Sequence, residues 1–377
     1  MRVLQVVQCP QRRGAEVFAH ELSHALRSLG HEVSTRYLEP AAEDSAALPF
    51  EPGDAVLAPG KAGTVRTSLA LQREIRRLRP DVVQVNGSAT VKVGALAGWS
   101  APARGWVLVR RAIGDPAAWL RDRPRRWFYR FGVMPQVDGV VAVSQATLDG
   151  LRREGLAAPG VVIPRSVDAR RFVASAPRDE LRARHGVAPE CPLVISVGSL
   201  TPEKRLDRLL RAVAAMAPRV KDLQAWIVGD GADRAELEGL ARSLGVASRV
   251  RFWGAQRNVA DLVGAADVLA LTSDTEGIPG VVIEAACLGV PSVATRVGGV
   301  PECVLHERTG LLVDPEDGAA LVHALEALAT RSELRRSLGE AARAHALANF
   351  DLARAAERFV EFYRRVIDER ERRARSA

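Results

Sequence analysis

Two spacings of apolar residues take turns along the chain. Short β-branched runs read as strands: RVLQVV (2–7), HEVSTRYL (31–38), DVVQVN (81–86), GWVLVR (105–110) and GVVAVS (139–144). Loop sequence or segments of helical period follow them, such as the amphipathic stretch 16–29 that Gly30 ends. The rhythm breaks near 163–177 and restarts with LVISVG (193–198), LQAWIVG (223–229), RVRFWG (249–254), DVLALT (267–272) and PSVATR (291–296). These later runs are apolar at successive positions, the pattern of parallel strands buried on both faces. Strands alternating with helices predict two doubly wound α/β domains, 1–170 and 171–350. Residues 351–377 form a last charged helix and tail that packs back across the domains, its DERERRARSA end solvated.

A chain of 377 residues is long enough for two cores. With 47% hydrophobic and 26% charged residues it is not a disordered chain. Its net charge of +8 favours anionic partners, but no aromatic-basic recognition motif supports nucleic acid among them. The four cysteines, Cys9, Cys191, Cys287 and Cys303, have neither disulfide nor zinc spacing. The first strand starts at once, with no signal segment, and no run reaches the length of a membrane span, so a cytoplasmic protein is expected.

HELSH, at 20–24, has the form of a zinc-protease motif. On a helical wheel Phe18, Leu22, Ala25, Leu26 and Leu29 share one apolar face, and His20 and His24 lie nearly opposite. Both histidines are therefore expected to face solvent without a third ligand, and no metal is expected.

The chemistry concentrates in SDTEGIPGVVIEAACLGVPSVAT, at 273–295. Gly277, Pro279 and Gly280 interrupt regular structure, and a helix is predicted from about Pro279 until Gly289 and Pro291 stop it. The free amides and positive dipole end of such a helix suit a diphosphate. Glu284, one turn inside, could accept hydrogen bonds from ribose hydroxyls, and Glu276, on the loop before it, could meet the far end of a nucleotide sugar. Glycines at the predicted strand ends, among them Gly198, Gly229, Gly254 and Gly298, point to a small-molecule crevice at that edge of the sheet.

This segment resembles the signature of the family-four retaining glycosyltransferases, a glutamate, seven residues and a second glutamate, here Glu276-GIPGVVI-Glu284 followed by AACLGVPSVAT. The likeness continues through RVGGVPECV and TGLLVDPED (296–317) and, more loosely, through RRGAE (12–16), LGHEV (29–33) and VAVSQ (141–145). It implies the GT-B fold, two facing Rossmann-like domains with a deep inter-domain cleft, and transfer of a sugar from a UDP- or GDP-sugar to a hydroxyl acceptor, with no cofactor or catalytic metal. It also implies a donor site of Gly14, Ser199, Lys204, Arg205, Gly277, Ile278, Pro279, Gly280, Val281 and Glu284. Lys204, in VGSLTPEKRL, and Arg205 would neutralise the leaving diphosphate, with Glu276 beside the sugar. The chain departs from the family at Ser199, where an arginine is usual, and at Arg205 and Arg13, where glycine is usual. The histidine often found in the first domain has no counterpart, and Asn86, Arg110 and Arg111 are the acceptor-side candidates.

A nucleotide-sugar epimerase and a non-catalytic nucleotide-sugar-binding module are the alternative readings. AAWLRDRPRRWFYRFG (117–132) mixes Trp119, Trp127, Phe128 and Tyr129 with arginines. Aromatics packed on the first sheet under solvated arginines are the simpler expectation for it, and peripheral contact with an anionic membrane is the other.

Overall fold

The computed structural model describes residues 1–11, 14–41, 47–58, 63–99, 104–114, 122–170 and 172–376. The chain divides into two compact units, one made of residues 1–165 with the segment from Leu352 onward, the other of Ser166–Asp351.

The first unit contains β1 (Arg2–Val7), β2 (Glu32–Tyr37), β3 (Ala55–Val56), β4 (Val82–Asn86), β5 (Val107–Ala112), β6 (Gly139–Ala142) and β7 (Gly160–Val162). They form one parallel sheet in the order β3-β2-β1-β4-β5-β6-β7. The second unit contains β8 (Leu193–Val197), β9 (Gln224–Val228), β10 (Val250–Gly254), β11 (Val268–Leu271), β12 (Ser292–Thr295) and β13 (Gly310–Val313). They form a parallel sheet in the order β10-β9-β8-β11-β12-β13. Each sheet reverses its winding once, between β1 and β4 and between β8 and β11, where doubly wound sheets open a crevice at the carboxyl ends.

Four of the restarted runs, β8, β9, β11 and β12, are buried as their sequences predict. RVRFWG is not: β10 lies at the sheet's edge, with Arg251 exposed and the other residues half-buried. Arg251 stacks over Trp253 at 3.7 Å, so this apolar-looking run covers an edge with a cation and a ring.

The last helix, Leu352–Ser376, packs on the first unit. Ala356, Phe359 and Tyr363 are wholly buried with Phe18, Leu22 and Leu26 of the first helix, Gly14–Ser28, over Val82, Val109 and Val141 of the sheet. Its Tyr363 hydroxyl donates to Gln84 Oε1, and the Gln84 amide donates to Gln5 Oε1 at 3.1 Å, so a buried polar chain ties helix to sheet. Removing the Phe359 ring would cost about 3–5 kcal/mol. Residues 371–375 are exposed, as the charged tail predicts.

Candidate functional site

In the second unit, two distant pieces of sequence meet at the switch point. After β8 the chain passes Gly198 and Ser199, makes a 3-10 turn over Pro202–Lys204, and enters the helix Leu206–Met216. After β11 it runs through Ser273–Pro279 into the helix Gly280–Cys287. Two hydrogen bonds join them: Asp274 N donates to Glu203 O at 2.8 Å, and the Thr272 side-chain Oγ1 donates to Lys204 O at 3.0 Å. On this frame Lys204 Nζ donates to Glu276 Oε1 at 2.7 Å, and Ser273 Oγ donates to the same oxygen at 2.7 Å. The two catalytic candidates are therefore an ion pair, with the carboxylate 10% exposed. A recess lined by Gly198, Ser199, Lys204, Thr272 and Ser273 opens at the ends of β8 and β11.

Glycine makes this packing possible. Gly298 has φ +50°, and a Cβ there would overlap the carbonyl oxygen of Glu276. Gly299 N donates to Gly277 O at 2.9 Å. The RVGG turn after β12 thus backs directly against the Glu276–Gly277 backbone, and only residues without a side chain fit. Gly229, with φ +133°, does the same for the end of β8, where a Cβ would overlap the Gly198 carbonyl oxygen.

Arg205 stands at φ +48°, in the left-handed region, which explains why glycine is usual at this position. Its guanidinium donates to both oxygens of Asp207, at 2.9 and 3.1 Å, and to Asp274 Oδ2 at 3.3 Å. The hydrogen bond to Asp207 in turn holds that carboxyl below its ordinary value. Arg208, outside every motif in the sequence, donates through its guanidinium to Asp274 at 2.5 Å, Thr272 O at 3.1 Å and Glu316 at 3.0 Å. Only the fold brings those partners to it, so no spacing in the chain marks it.

The helix carrying Glu284 begins after Pro279, as its sequence predicts. Ile278, Pro279 and Gly280 are buried, Val281 and Glu284 are half-buried, and Ser199 is exposed.

Gly14 opens the first helix, with the Arg165 guanidinium beside it; Arg13 lies outside the described residues. Asn86, at the end of β4, donates to Gln5 Oε1 at 2.8 Å and to Val6 O at 3.2 Å within the sheet. Arg110 and Arg111 are both fully buried on β5 and point to opposite faces: Arg110 reaches the Met134 sulfur at 3.7 Å, and Arg111 lies 3.9 Å over the Phe18 ring. Burial lowers Arg110 to about 10, and burial followed by Arg165 lowers Arg111 to about 9.

HELSH corrects the helical-wheel reading. Phe18, Leu22 and Leu26 are buried, but Leu29 is exposed, while His20 and His24 are half-buried instead of facing open solvent. Their Nε2 atoms are 3.2 Å apart, and Glu51 Oε1 lies 3.2 Å from His24 Nε2. A third donor is therefore present, on a segment that the wheel could not see. Burial, followed by the neighbouring His24, holds His20 below the usual imidazole value.

The aromatic-basic stretch also departs from the simpler expectation. Trp119 lies outside the described residues. Tyr129 is buried and Phe128 half-buried, but Trp127 and Phe131 are exposed and stack at 5.5 Å between ring centroids.

Residues 177–345 match the family model of the glycosyl transferases group 1, and residues 12–171 match that of Glycosyltransferase Family 4. The chain belongs to this glycosyltransferase family. Its two Rossmann-like sheets make the fold GT-B. HepE of Anabaena, solved in complex with UDP-glucose, superposes with a TM-score of 0.83 at 23% identity, covering 96% of this chain and 98% of that one. A D-inositol 3-phosphate glycosyltransferase of Actinosynnema mirum is 36% identical over 227 residues, 57% of this chain and 54% of the relative. An N-acetyl-alpha-D-glucosaminyl L-malate synthase of Bacillus anthracis is 30% identical over 184 residues, 49% of this chain and 48% of the relative. The chain spans about half the length of these curated relatives.

Proposed function

We propose that the chain is a retaining glycosyltransferase that moves a sugar from a UDP- or GDP-sugar to a hydroxyl-bearing acceptor, with no metal or other cofactor at the donor site. The observation that carries this reading is the ion pair between Lys204, on the turn before the Leu206–Met216 helix, and Glu276, on the loop before the Gly280–Cys287 helix. Breaking the bond between sugar and diphosphate builds negative charge on the leaving phosphate. Lys204 and the amides of Gly280 and Val281 supply positive charge for it without reorganisation. Glu284 takes the ribose hydroxyls, and Glu276, released from Lys204 when the diphosphate engages the ammonium, takes the hydroxyls of the transferred sugar. Ser199, Gly277, Ile278 and Pro279 supply backbone and small-residue contact to the donor. Arg205 acts by holding Asp207 and Asp274. In this reading residues 171–350 take the donor, with Gly14 as a further donor contact, and residues 1–170 take the acceptor near Asn86, Arg110 and Arg111. The relative from Actinosynnema mirum is a D-inositol 3-phosphate glycosyltransferase, and HepE is solved with UDP-glucose, which supports the donor class.

The test is a thermal-shift screen of UDP, GDP and their sugars, then an assay of the stabilising donor with and without cell extract in the presence of EDTA. Extract-dependent release of nucleoside diphosphate, with a product of unchanged anomeric configuration, is expected. Interconversion of nucleotide sugars without an acceptor would mark an epimerase, and stabilisation without turnover would mark a binding module.

A second reading concerns location. Among the described residues no helix is long and apolar enough to cross a membrane. Trp127, Phe131 and Trp99 are exposed close to Arg123, Arg125 and Arg130, an apolar and cationic surface suited to anionic headgroups. We propose a cytoplasmic enzyme that rests peripherally on the inner face of the membrane. Sedimentation with anionic vesicles, lost in Trp127→Ala with Phe131→Ala, tests it; equal sedimentation of both proteins overturns it.

A further inference from the structure

The first helix presents His20 and His24 one turn apart, with their Nε2 atoms turned toward each other at 3.2 Å and their rings edge-on. At most one proton can lie between two such nitrogens, so at least one lone pair points into the space they share. Glu51 Oε1 enters the same space, 3.2 Å from His24 Nε2, and the three donor atoms all lie within 4.8 Å of one another. Among the described residues this is the one convergence of three such ligands. A tetrahedral zinc ion with bonds of about 2.0–2.1 Å holds its donors roughly 3.3 Å apart. The His20–His24 and His24–Glu51 separations, both 3.2 Å, fall close to that.

The third ligand is held in place by its own turn. Glu51 N donates to Asp54 Oδ2 at 3.2 Å, and Asp54 N returns a bond to Glu51 O at 2.9 Å. The Asp54 carboxylate, 1% exposed, also accepts from Thr35 N of β2 at 2.9 Å and has Arg27 of the first helix at 3.8 Å. This buried aspartate anchors the turn to the sheet and the helix, and Glu51 is carried to the histidines on a fixed support.

We propose that His20, His24 and Glu51 bind a divalent transition metal, zinc by the chemistry of its donors, which fastens the first helix to the Glu51–Asp54 turn. Two imidazoles and one carboxylate suit zinc and its neighbours in the first transition row, and they disfavour magnesium and calcium, which take all-oxygen sets. Three protein ligands leave a fourth position for water. The site belongs to the first unit alone and shares no residue with the donor site.

The experiment strips the full chain with a chelator, removes the chelator, and titrates zinc ion calorimetrically. Cobalt ion serves as a spectroscopic probe of geometry. One equivalent of zinc is expected to bind and raise the Tm, and cobalt is expected to give the intense visible bands of a four-coordinate site. His20→Ala, His24→Ala and Glu51→Gln should each weaken zinc binding by at least 10-fold, while His323→Ala should not. Far-UV circular dichroism of each metal-free variant checks its fold. Glu51→Gln keeps the side-chain size and the backbone of the turn, and it decides the case if a histidine variant fails to fold. No binding to the full chain, or binding that all three variants retain, overturns the proposal.

Discussion

Lys204 and Glu276, seventy-two positions apart in the chain, meet at 2.7 Å and share that contact with Ser273 Oγ. Each of the two charged groups is the other's counterion until a donor arrives. Lys204→Ala would leave the carboxylate without its cation and the leaving diphosphate without its nearest positive charge. Turnover of the intact donor is expected to fall on the order of 100-fold, with a smaller change in KM, because the charge grows in the transition state. Steady-state kinetics of the variant check this; a loss confined to KM would place Lys204 in ground-state binding only.

The same pair separates the roles of the two glutamates. Glu284→Gln exchanges a charged acceptor for a neutral one and should weaken binding of the bare nucleoside diphosphate roughly 10-fold or more. Glu276→Gln frees the Lys204 ammonium for that diphosphate, so its affinity should hold or rise while transfer from the full donor collapses. Calorimetry beside a transfer assay decides; equal weakening in both variants would refute the assignment.

Arg205 gives a stability prediction with opposite outcomes for two substitutions. Arg205→Gly loses partly exposed ion pairs worth about 0–1 kcal/mol and relieves a left-handed residue by about 1 kcal/mol, so its stability should stay near that of the parent. Arg205→Ala loses the same pairs and keeps the strained backbone, so it should be less stable than Arg205→Gly by about 1 kcal/mol. Urea denaturation of the two variants measures the difference.

Gly298→Ala places a methyl against the Glu276 carbonyl oxygen at a residue with positive φ. The Glu276–Gly277 backbone must then move, costing about 1–3 kcal/mol. Transfer should be lost even where the protein is still folded, and a melting curve beside the activity assay separates the two effects.

These positions also mark what the sequence could and could not reveal. The β-branched runs of β1, β2, β4–β6, β8, β9, β11 and β12 were legible because strands buried on both faces are rich in apolar residues at successive positions. β3 has two residues and β7 three, too few for any period, and β10 looked buried because an edge strand covered by its own Trp253 and Arg251 has the same letters as a central one. Pro279 fixed the start of the Gly280–Cys287 helix, since a proline ring disfavours helix before it and its fixed φ suits the first turn of a helix. The Lys204–Glu276 partnership was beyond reach, because the order of strands in the sheet, and not spacing along the chain, brings the two loops together. HELSH failed for a related reason. A helical wheel divides a helix into the face it buries and the face it leaves, and it cannot know that the Glu51 segment comes to lie over the second.

The helix Leu352–Ser376 has a consequence for synthesis. The ribosome makes residues 1–165 first, yet the sheet face formed by Val82, Val109 and Val141, which the first helix covers in part, is not closed until Phe359, Tyr363 and Val366 emerge, some two hundred residues later. At about 5–20 residues per second that is a delay of roughly 10 to 40 s. Ser166–Asp351 is contiguous and complete before then, so the part of the chain translated second is the first that can reach its native core. The nascent first unit must wait with part of an apolar face open, which makes it the part most exposed to aggregation and most in need of a chaperone.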